Sequence, residues 1–426
     1  MKTLIKDGRV VDPANGIDDT LDVLIEDGKI AKIGRDIPKT GADVVKAAGK
    51  IVAPGFIDMH VHLREPGREE AETIKTGTEA AAAGGFTAVA CMPNTNPVND
   101  NESVTEFIIK KAATEGSVHV YPIGAITKGS KGESLSEIGE LHRAGCVAIS
   151  DDGRDVMDNL LMRRAMEYAS MFDMPVIDHC EAADLVGEGV MNEGAVSTAL
   201  GMKPIPAAAE EIMVQRNILL ARDTGCHVHI AHISTEESIE MVRRAKKRGI
   251  KITCEATPHH FTLTDKECRS FDTNFKMKPP LRSDKDRKAI LKGIKDGTID
   301  CIATDHAPHS VDYKNVEFDY AAFGIIGLET AVPLALDRLV NEGIIDIGRL
   351  VEMFSVNPAR ILGVPGGSLG VGALADITIL DHNRNITVDK EKFRSKSRNT
   401  PFHGWTLKGA PVMTIVGGRI VFSAED

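Results

Sequence analysis

Several things are scarce in this 426-residue chain, and each absence closes a class of function. No apolar run approaches the ~20 residues that a membrane-spanning helix needs. The opening stretch, Met1-Lys-Thr-Leu-Ile-Lys-Asp-Gly-Arg-Val10, lacks the long apolar core of a signal peptide and reads as a strand. Positive charge is short: 51 Lys and Arg stand against 62 Asp and Glu, a formal net charge of −11 with no basic run. Nucleic acid and anionic membrane are therefore not expected as partners. Cysteine is sparse and wrongly spaced for a disulfide framework or a zinc knot. The seven are scattered without any Cys-x-x-Cys. Cys91, Cys146, Cys226, Cys254 and Cys301 fall inside expected strands, where a thiol serves as a small core hydrophobe. Low-complexity segments are missing too. What remains is the composition of a cytoplasmic enzyme, long enough for one large domain and a smaller one.

What is present is a repeating alternation. Short apolar runs recur, and each ends in polar or catalytic residue types: 56–64, 86–94, 118–124, 146–153, 174–181, 228–234, 250–260 and 300–309. Between them lie Ala-, Glu-, Lys- and Arg-rich stretches such as Glu70 to Ala83, Glu102 to Thr114 and Thr235 to Arg248. Eight strand–helix units predict parallel strands closed into a (β/α)8 barrel, whose site lies at the C-terminal strand ends. The first run, Phe56-Ile-Asp-Met-His-Val-His-Leu-Arg64, sets His60 and His62 on one face of a strand, able to grip one ion together. Neutral imidazole suits zinc and its first-row neighbours.

The chain ends are of another character. Residues 1–53 and 367–426 alternate in β fashion around Asp-Gly and Gly-Gly steps, which are hairpin signals. They are expected to pair into one small β-sandwich beside the barrel of residues 54–366, since two separate flaps would leave more strand edges open.

The residues at the strand ends carry a resemblance. His60-x-His62, Asp152, His179, His232 and Asp305 together resemble the amidohydrolase superfamily with its binuclear metal centre. His62-Leu-Arg64-Glu-Pro-Gly, Met92-Pro-Asn94-Thr-Asn-Pro, Ser150-Asp-Asp-Gly153, Asp178-His-Cys-Glu181, Pro279-Pro-Leu-Arg282, Asp305-His-Ala-Pro-His309 and Phe323-Gly-Ile-Ile-Gly-Leu-Glu-Thr narrow it to the long-chain bacterial (type I) dihydroorotases. The resemblance covers nearly the whole chain.

That resemblance implies two zinc ions per subunit. His60, His62 and Asp305 would hold one, and His179 and His232 the other. Many relatives bridge the ions with a carboxylated lysine at the end of strand four, but here that strand ends in Ser150-Asp-Asp-Gly-Arg. Alternation lets only one of Asp151 and Asp152 face the metals, and the family match favours Asp152. The implied activity is reversible hydrolysis of (S)-dihydroorotate to N-carbamoyl-L-aspartate in pyrimidine biosynthesis, by a metal-bound hydroxide with Asp305 as proton shuttle. His62, Arg64, Asn94, His309, Phe323 and Gly324 would bind the substrate, Arg64 taking its carboxylate. The family usually has Asn where this chain has Lys278, which either supplies a cation or points away. The resemblance also implies a homodimer, with association with aspartate transcarbamoylase as a further partner.

The remaining histidines sort by parity and place. His227 and His229 are opposite in parity to His232 and are expected to face the helices or lie at the strand's start. His259 and His260 read as structural, His306 as pointing away from Asp305, and Cys180 as packing. Alternatives stay open: a hydantoinase, dihydropyrimidinase or allantoinase, or a non-catalytic homologue supporting aspartate transcarbamoylase.

Overall fold

The computed structural model describes residues 2–424. Met1, Glu425 and Asp426, which the sequence assigns to the smaller domain, lie outside the described residues. Eight parallel strands form the barrel: Phe56–Val61, Phe86–Cys91, His119–Gly124, Ala148–Ile149, Val176–Asp178, Val228–Ile230, Ile252–Ala256 and Cys301–Ile302, each hydrogen-bonded to the next. Closure falls just beyond strand eight. Val61 bridges His306 in parallel, and His62 N donates to His306 O at 2.9 Å.

Two sets of apolar side chains alternate along these strands. Val89, Cys91, Ile149, Val176, Val228, Ile230 and Ile302 join the large cluster shared with the helices. Ile57, Met59, Ala88, Ala90, Ile123, Ala148, Ile177, Ala231 and Cys301 form a separate cluster that fills the barrel. All seven cysteines are buried and free.

Helices start where their caps stand. Thr73 caps Ile74–Ala83 in a reciprocal capping box with Thr76. The helix expected from Glu70 therefore begins later, and Glu70 to Thr73 form turn and extended backbone. Asn101 and Thr235 cap Glu102–Glu115 and Glu236–Lys247 through their side chains.

The chain ends share one eight-stranded sheet, formed from Lys2–Asp12, Ile17–Glu26, Lys29–Gly34, Asp43–Lys46, Ile51–Pro54, Ile377–Thr387, Thr406–Val416 and Arg419–Ser423. The seam is the antiparallel pairing of Ile51–Pro54 with Ile377–Leu380. Asp27-Gly28 and Gly417-Gly418 turn hairpins with positive φ at both residues. Asp7-Gly8 does not. The strand runs straight through it with a register shift, and Gly8 lies so close to Val52 that a Cβ would sit 2.5 Å from Val52 Cγ2.

Candidate active site

The candidate ligands converge. His60 Nε2 lies 3.3 Å from Asp152 Oδ1 and 3.6 Å from Asp305 Oδ1. His62 Nε2 lies 3.0 Å from Asp305 Oδ1 and 3.6 Å from Asp152 Oδ2. His179 Nδ1 stands 2.9 Å from His232 Nε2 and 3.7 Å from Asp152 Oδ1. Three overlapping triads (His60, His232, Asp305; His60, His62, Asp152; Asp152, His179, His232) each keep their donor atoms within 4.8 Å of one another. All six residues are buried.

Local backbone irregularity aims these side chains. Met59 packs inside the barrel and its neighbour His60 also faces inward, which a regular strand forbids; the register shift between Asp58 and Val61 allows it. Past the strand ends, Arg64 (φ +62°), Cys180 (+51°), His232 (+31°) and Asp305 (+47°) hold left-handed backbone. Such strain persists only where the surroundings over-determine it, and it clusters at functional sites.

The electrostatics favour a cation. Burial opposes charge on Asp152, yet His60, His62 and His179 hold its carboxyl well below the usual range. Burial likewise opposes charge on His60, and Asp305, Asp152 and Glu255 hold it well above. Burial, then His179, pushes His232 down to about 3, leaving a neutral ring. His60 Nε2, fully buried beside two carboxylates, has no hydrogen-bond partner. An orphaned imidazole nitrogen in a set of imidazoles and carboxylates fits a divalent ion of the zinc type.

Asp151 faces elsewhere. It accepts from Ile126 N at 2.8 Å, from Thr127 N at 3.1 Å and from the Thr127 hydroxyl. Asp152 is thus the one of the pair that meets the imidazoles.

One carboxylate that the sequence reading passed over underlies the cluster. Glu255, fully buried on strand seven, accepts from His60 Nδ1 at 2.7 Å and from His232 N at 3.2 Å. Its second oxygen meets His229 Nε2 at 3.2 Å. His229 therefore faces the barrel interior, contrary to expectation. The left-handed turn at His232 resets the parity, so both residues point inward; His227 does lie at the strand's start. A lone carboxylate within Ile252-Thr-Cys-Glu-Ala256 was the available signal.

A cavity of about 200 Å³ opens above the ligands. His62, Arg64, Asn94, His309, Phe323 and Gly324 all border it, as do Asp152, His179, His232 and Asp305. Arg64 Nε donates to Pro308 O at 3.0 Å, which fixes the guanidinium in the wall. Burial and then Arg68 lower Arg64 to about 10, so it stays cationic at neutral pH. Asn94 links two ligands: its Oδ1 stands 2.9 Å from His62 Nδ1 and its Nδ2 donates to Asp152 Oδ2 at 3.2 Å. Arg68 and Met277 also line the cavity and were not foreseen. Lys278 lines it too, with Nζ 2.6 Å from Glu181 Oε1, so its charge is paired within the wall. His306 turns away to Glu72 at 3.3 Å. His260 bonds Thr257 at 2.7 Å and Pro279 O at 3.0 Å, a structural role that braces the Lys278 loop. Cys180 packs against Asp178 and Asn217.

Barrel and site together define an enzyme of the cyclic amidohydrolase class. The L-hydantoinase (dihydropyrimidinase) of Arthrobacter aurescens superposes with a TM-score of 0.89 at 27% identity, over 99% of this chain and 96% of that one. A dihydropyrimidinase of Brevibacillus agri, at 22% identity and a TM-score of 0.88, shares the fold over 100% of this chain and 96% of its own. Sequence comparison is narrower. Residues 49–238 match the dihydro-orotase-like family model. A protein named dihydroorotase from Pelotomaculum thermopropionicum is 58% identical, over 99% of this chain and 98% of that one. One from Acetivibrio thermocellus is 56% identical over 98% of each. The chain belongs to the dihydroorotase family.

Proposed function

We propose that the protein catalyses the dihydroorotase reaction, the reversible hydrolysis of (S)-dihydroorotate to N-carbamoyl-L-aspartate, with Asp305 moving the proton. The observation that carries this is the meeting, in one small cavity, of a buried guanidinium with the histidine–carboxylate cluster. Dihydroorotate presents the matching pair of groups, a free carboxylate and a ring amide. Relatives named dihydroorotase, 52% to 58% identical over nearly the whole chain, support the same reading.

His60, His62 and Asp305 would hold one zinc ion, His179 and His232 a second, and Asp152 would serve both. Ions bound there supply Lewis acidity and make water acidic enough to act as nucleophile near neutral pH. The residues do the rest. Arg64 binds the substrate carboxylate through charge-assisted hydrogen bonds. Asn94 keeps His62 and Asp152 oriented and offers its amide beside them. Asp305 takes a proton from the attacking water as oxygen bonds to the ring carbonyl carbon. It then delivers that proton to the ring nitrogen as the carbon–nitrogen bond breaks. His309, Phe323 and Gly324 close the far side.

On the strength of the family alone, the reading extends to a cytoplasmic homodimer able to associate with aspartate transcarbamoylase. Among the described residues no helix is long and apolar enough to cross a membrane.

The test is a substrate panel of dihydroorotate, dihydrouracil, hydantoin and allantoin with the purified protein. Dihydroorotate should dominate in kcat/KM. Preference for a ring without the carboxylate would replace this reading with the hydantoinase one.

A further inference from the structure

The far wall of the cavity is held from an unexpected quarter. Residues 388–405 join two strands of the terminal sheet, Ile377–Thr387 and Thr406–Val416, yet they run back across the barrel. The backbone N–H groups of Arg394 and Ser395 donate to Glu329 Oε1 at 2.9 and 3.2 Å. Lys396 N donates to Glu72 at 3.1 Å, and Ser397 Oγ to Ala71 O at 2.7 Å. Phe402 is buried with Leu263, Met277 and Ile325. Anchored on both sides, Asn399 sits behind the substrate wall and is 3% exposed.

Its amide joins both halves of that wall. Nδ2 donates to Ala307 O at 2.9 Å and to Gly324 O at 3.1 Å. Oδ1 accepts from His309 N at 3.2 Å, and the backbone carbonyl accepts from Ile326 N at 3.0 Å. One side chain thus spans the loop after strand eight and the Phe323–Gly324 segment. The halves also meet directly, at Ala307 N to Ile325 O (3.0 Å) and His309 Nε2 to Phe323 O (2.8 Å). Lys314 Nζ reinforces one half, donating to Ala322 O at 2.8 Å and Gly324 O at 3.1 Å. There is no slack. Gly324 has φ +148°, and a Cβ there would lie 2.8 Å from Ala307 O and 2.9 Å from His309 Cδ2.

We propose that Asn399 is a positioning residue for substrate recognition: it fixes the spacing between the Ala307–His309 loop and Phe323–Gly324, and so the affinity of the cavity. It touches no ligand of the metal cluster and acts only through the wall. The proposal rests on the reading that His309 and Gly324 meet the substrate. A buried amide is suited to the task because two carbonyls and one N–H must be satisfied at once.

The test compares Asn399→Ala and Asn399→Asp with His309→Ala and with the Asn399→Ala/His309→Ala double variant, using dihydroorotate and the full-length metal-loaded protein. The Asp variant keeps the acceptor for His309 N but sets a carboxyl oxygen, with a negative charge when ionised, against two carbonyl oxygens, so it reverses the donor arm. Both Asn399 variants should raise KM at least tenfold, with kcat within threefold and metal content unchanged by elemental analysis. In the His309→Ala background, Asn399→Ala should raise KM by a clearly smaller factor than in the wild-type background, because one of the two contacts it positions is already gone. KM reads only the folded fraction, so partial unfolding does not imitate the effect; the near-isosteric Asp variant serves if the Ala variant does not fold. Wild-type KM in both Asn399 variants beside a raised KM in His309→Ala overturns the proposal and leaves the functional reading intact. Fully multiplicative effects overturn it as well. Wild-type KM in His309→Ala removes the substrate-contact reading, and the proposal with it.

Discussion

The floor of the cavity and its far wall are built by opposite means. On the floor, side chains from five strand ends and the turns beyond them meet, and charge holds them: Glu255 beneath His60, Asp152 and Asp305 among four imidazoles. In the wall, loop backbone faces the cavity, and uncharged carbonyls are gathered by donors behind it. Asn399 and Lys314 are two of these; Lys276 Nζ acts farther out, donating to Phe318 O at 2.7 Å and Asp319 O at 2.9 Å. Burial lowers Lys276 to about 8, and burial and then Lys276 lower Lys314 to about 7. The wall is thus held by hydrogen bonds to carbonyls, and burial works against the charge of both lysines, whereas the floor pairs carboxylates with imidazoles. On the proposed function the floor would hold the divalent ion and the wall would read the anionic substrate, so damage to the two should have different signatures.

The largest effect is expected where the floor loses an anion. Asp152→Asn should lose metal and activity together, since a neutral amide cannot balance two dications, while Asp151→Asn keeps much more metal. Elemental analysis of both variants decides it, and full metal in Asp152→Asn would refute the assignment. Activity should also be indifferent to added bicarbonate, because Asp152 needs no carbon dioxide to become an anion.

Asp305→Ala should cost several orders of magnitude in kcat with a far smaller change in substrate affinity. Steady-state kinetics with a measured metal content would separate the two. Wild-type turnover at full metal loading would end the proton-shuttle role.

The wall should answer differently. Arg64→Met should leave metal content alone and lower kcat/KM for dihydroorotate at least about thirtyfold, from roughly 2–5 kcal/mol of lost charge-assisted bonding. Trace activity on dihydrouracil, which has no carboxylate, should barely change. Equal losses on both substrates would mean that Arg64 shapes the cavity rather than reading a carboxylate. Adding Lys278→Asn should produce no further fall, because Lys278 is already paired with Glu181.

The mildest change sharpens the contrast from beneath. Glu255→Gln has one acceptor oxygen for His60 and His229, so metal affinity should fall about 10-fold or more by chelator competition. Activity should return at saturating metal. Unchanged affinity would reduce Glu255 to a packing partner.

The floor was legible in the sequence and the wall only in part, for a physical reason. The rule that barrel sites lie at C-terminal strand ends gathers the polar strand ends before any coordinates, and the family resemblance then picks out His60, His62, His179, His232 and Asp305 among them. Parity could not choose between Asp151 and Asp152; hydrogen bonds from the third-strand loop to Asp151 do. Parity also misled at His229, because left-handed backbone at His232 restarts the count. In the smaller domain, Asp7-Gly8 has the composition of a hairpin turn, and only the close approach of Val52 reveals a bulge. The wall depends on contacts far apart in sequence. Asn399 stands 75 positions from Gly324 and 92 from Ala307, and no local pattern announces such a tie.

The seam between the chain ends has a consequence in time. Ile51–Pro54 must wait for Ile377–Leu380, made on the order of 300 residues later. At ribosomal speed that is roughly 15 to 65 s with a bare strand edge. The segment carrying Asn399 is synthesised later still. A growing chain thus possesses all six candidate ligands well before it has Asn399, so on the proposal above the far wall can be fixed only after every residue of the floor has been made.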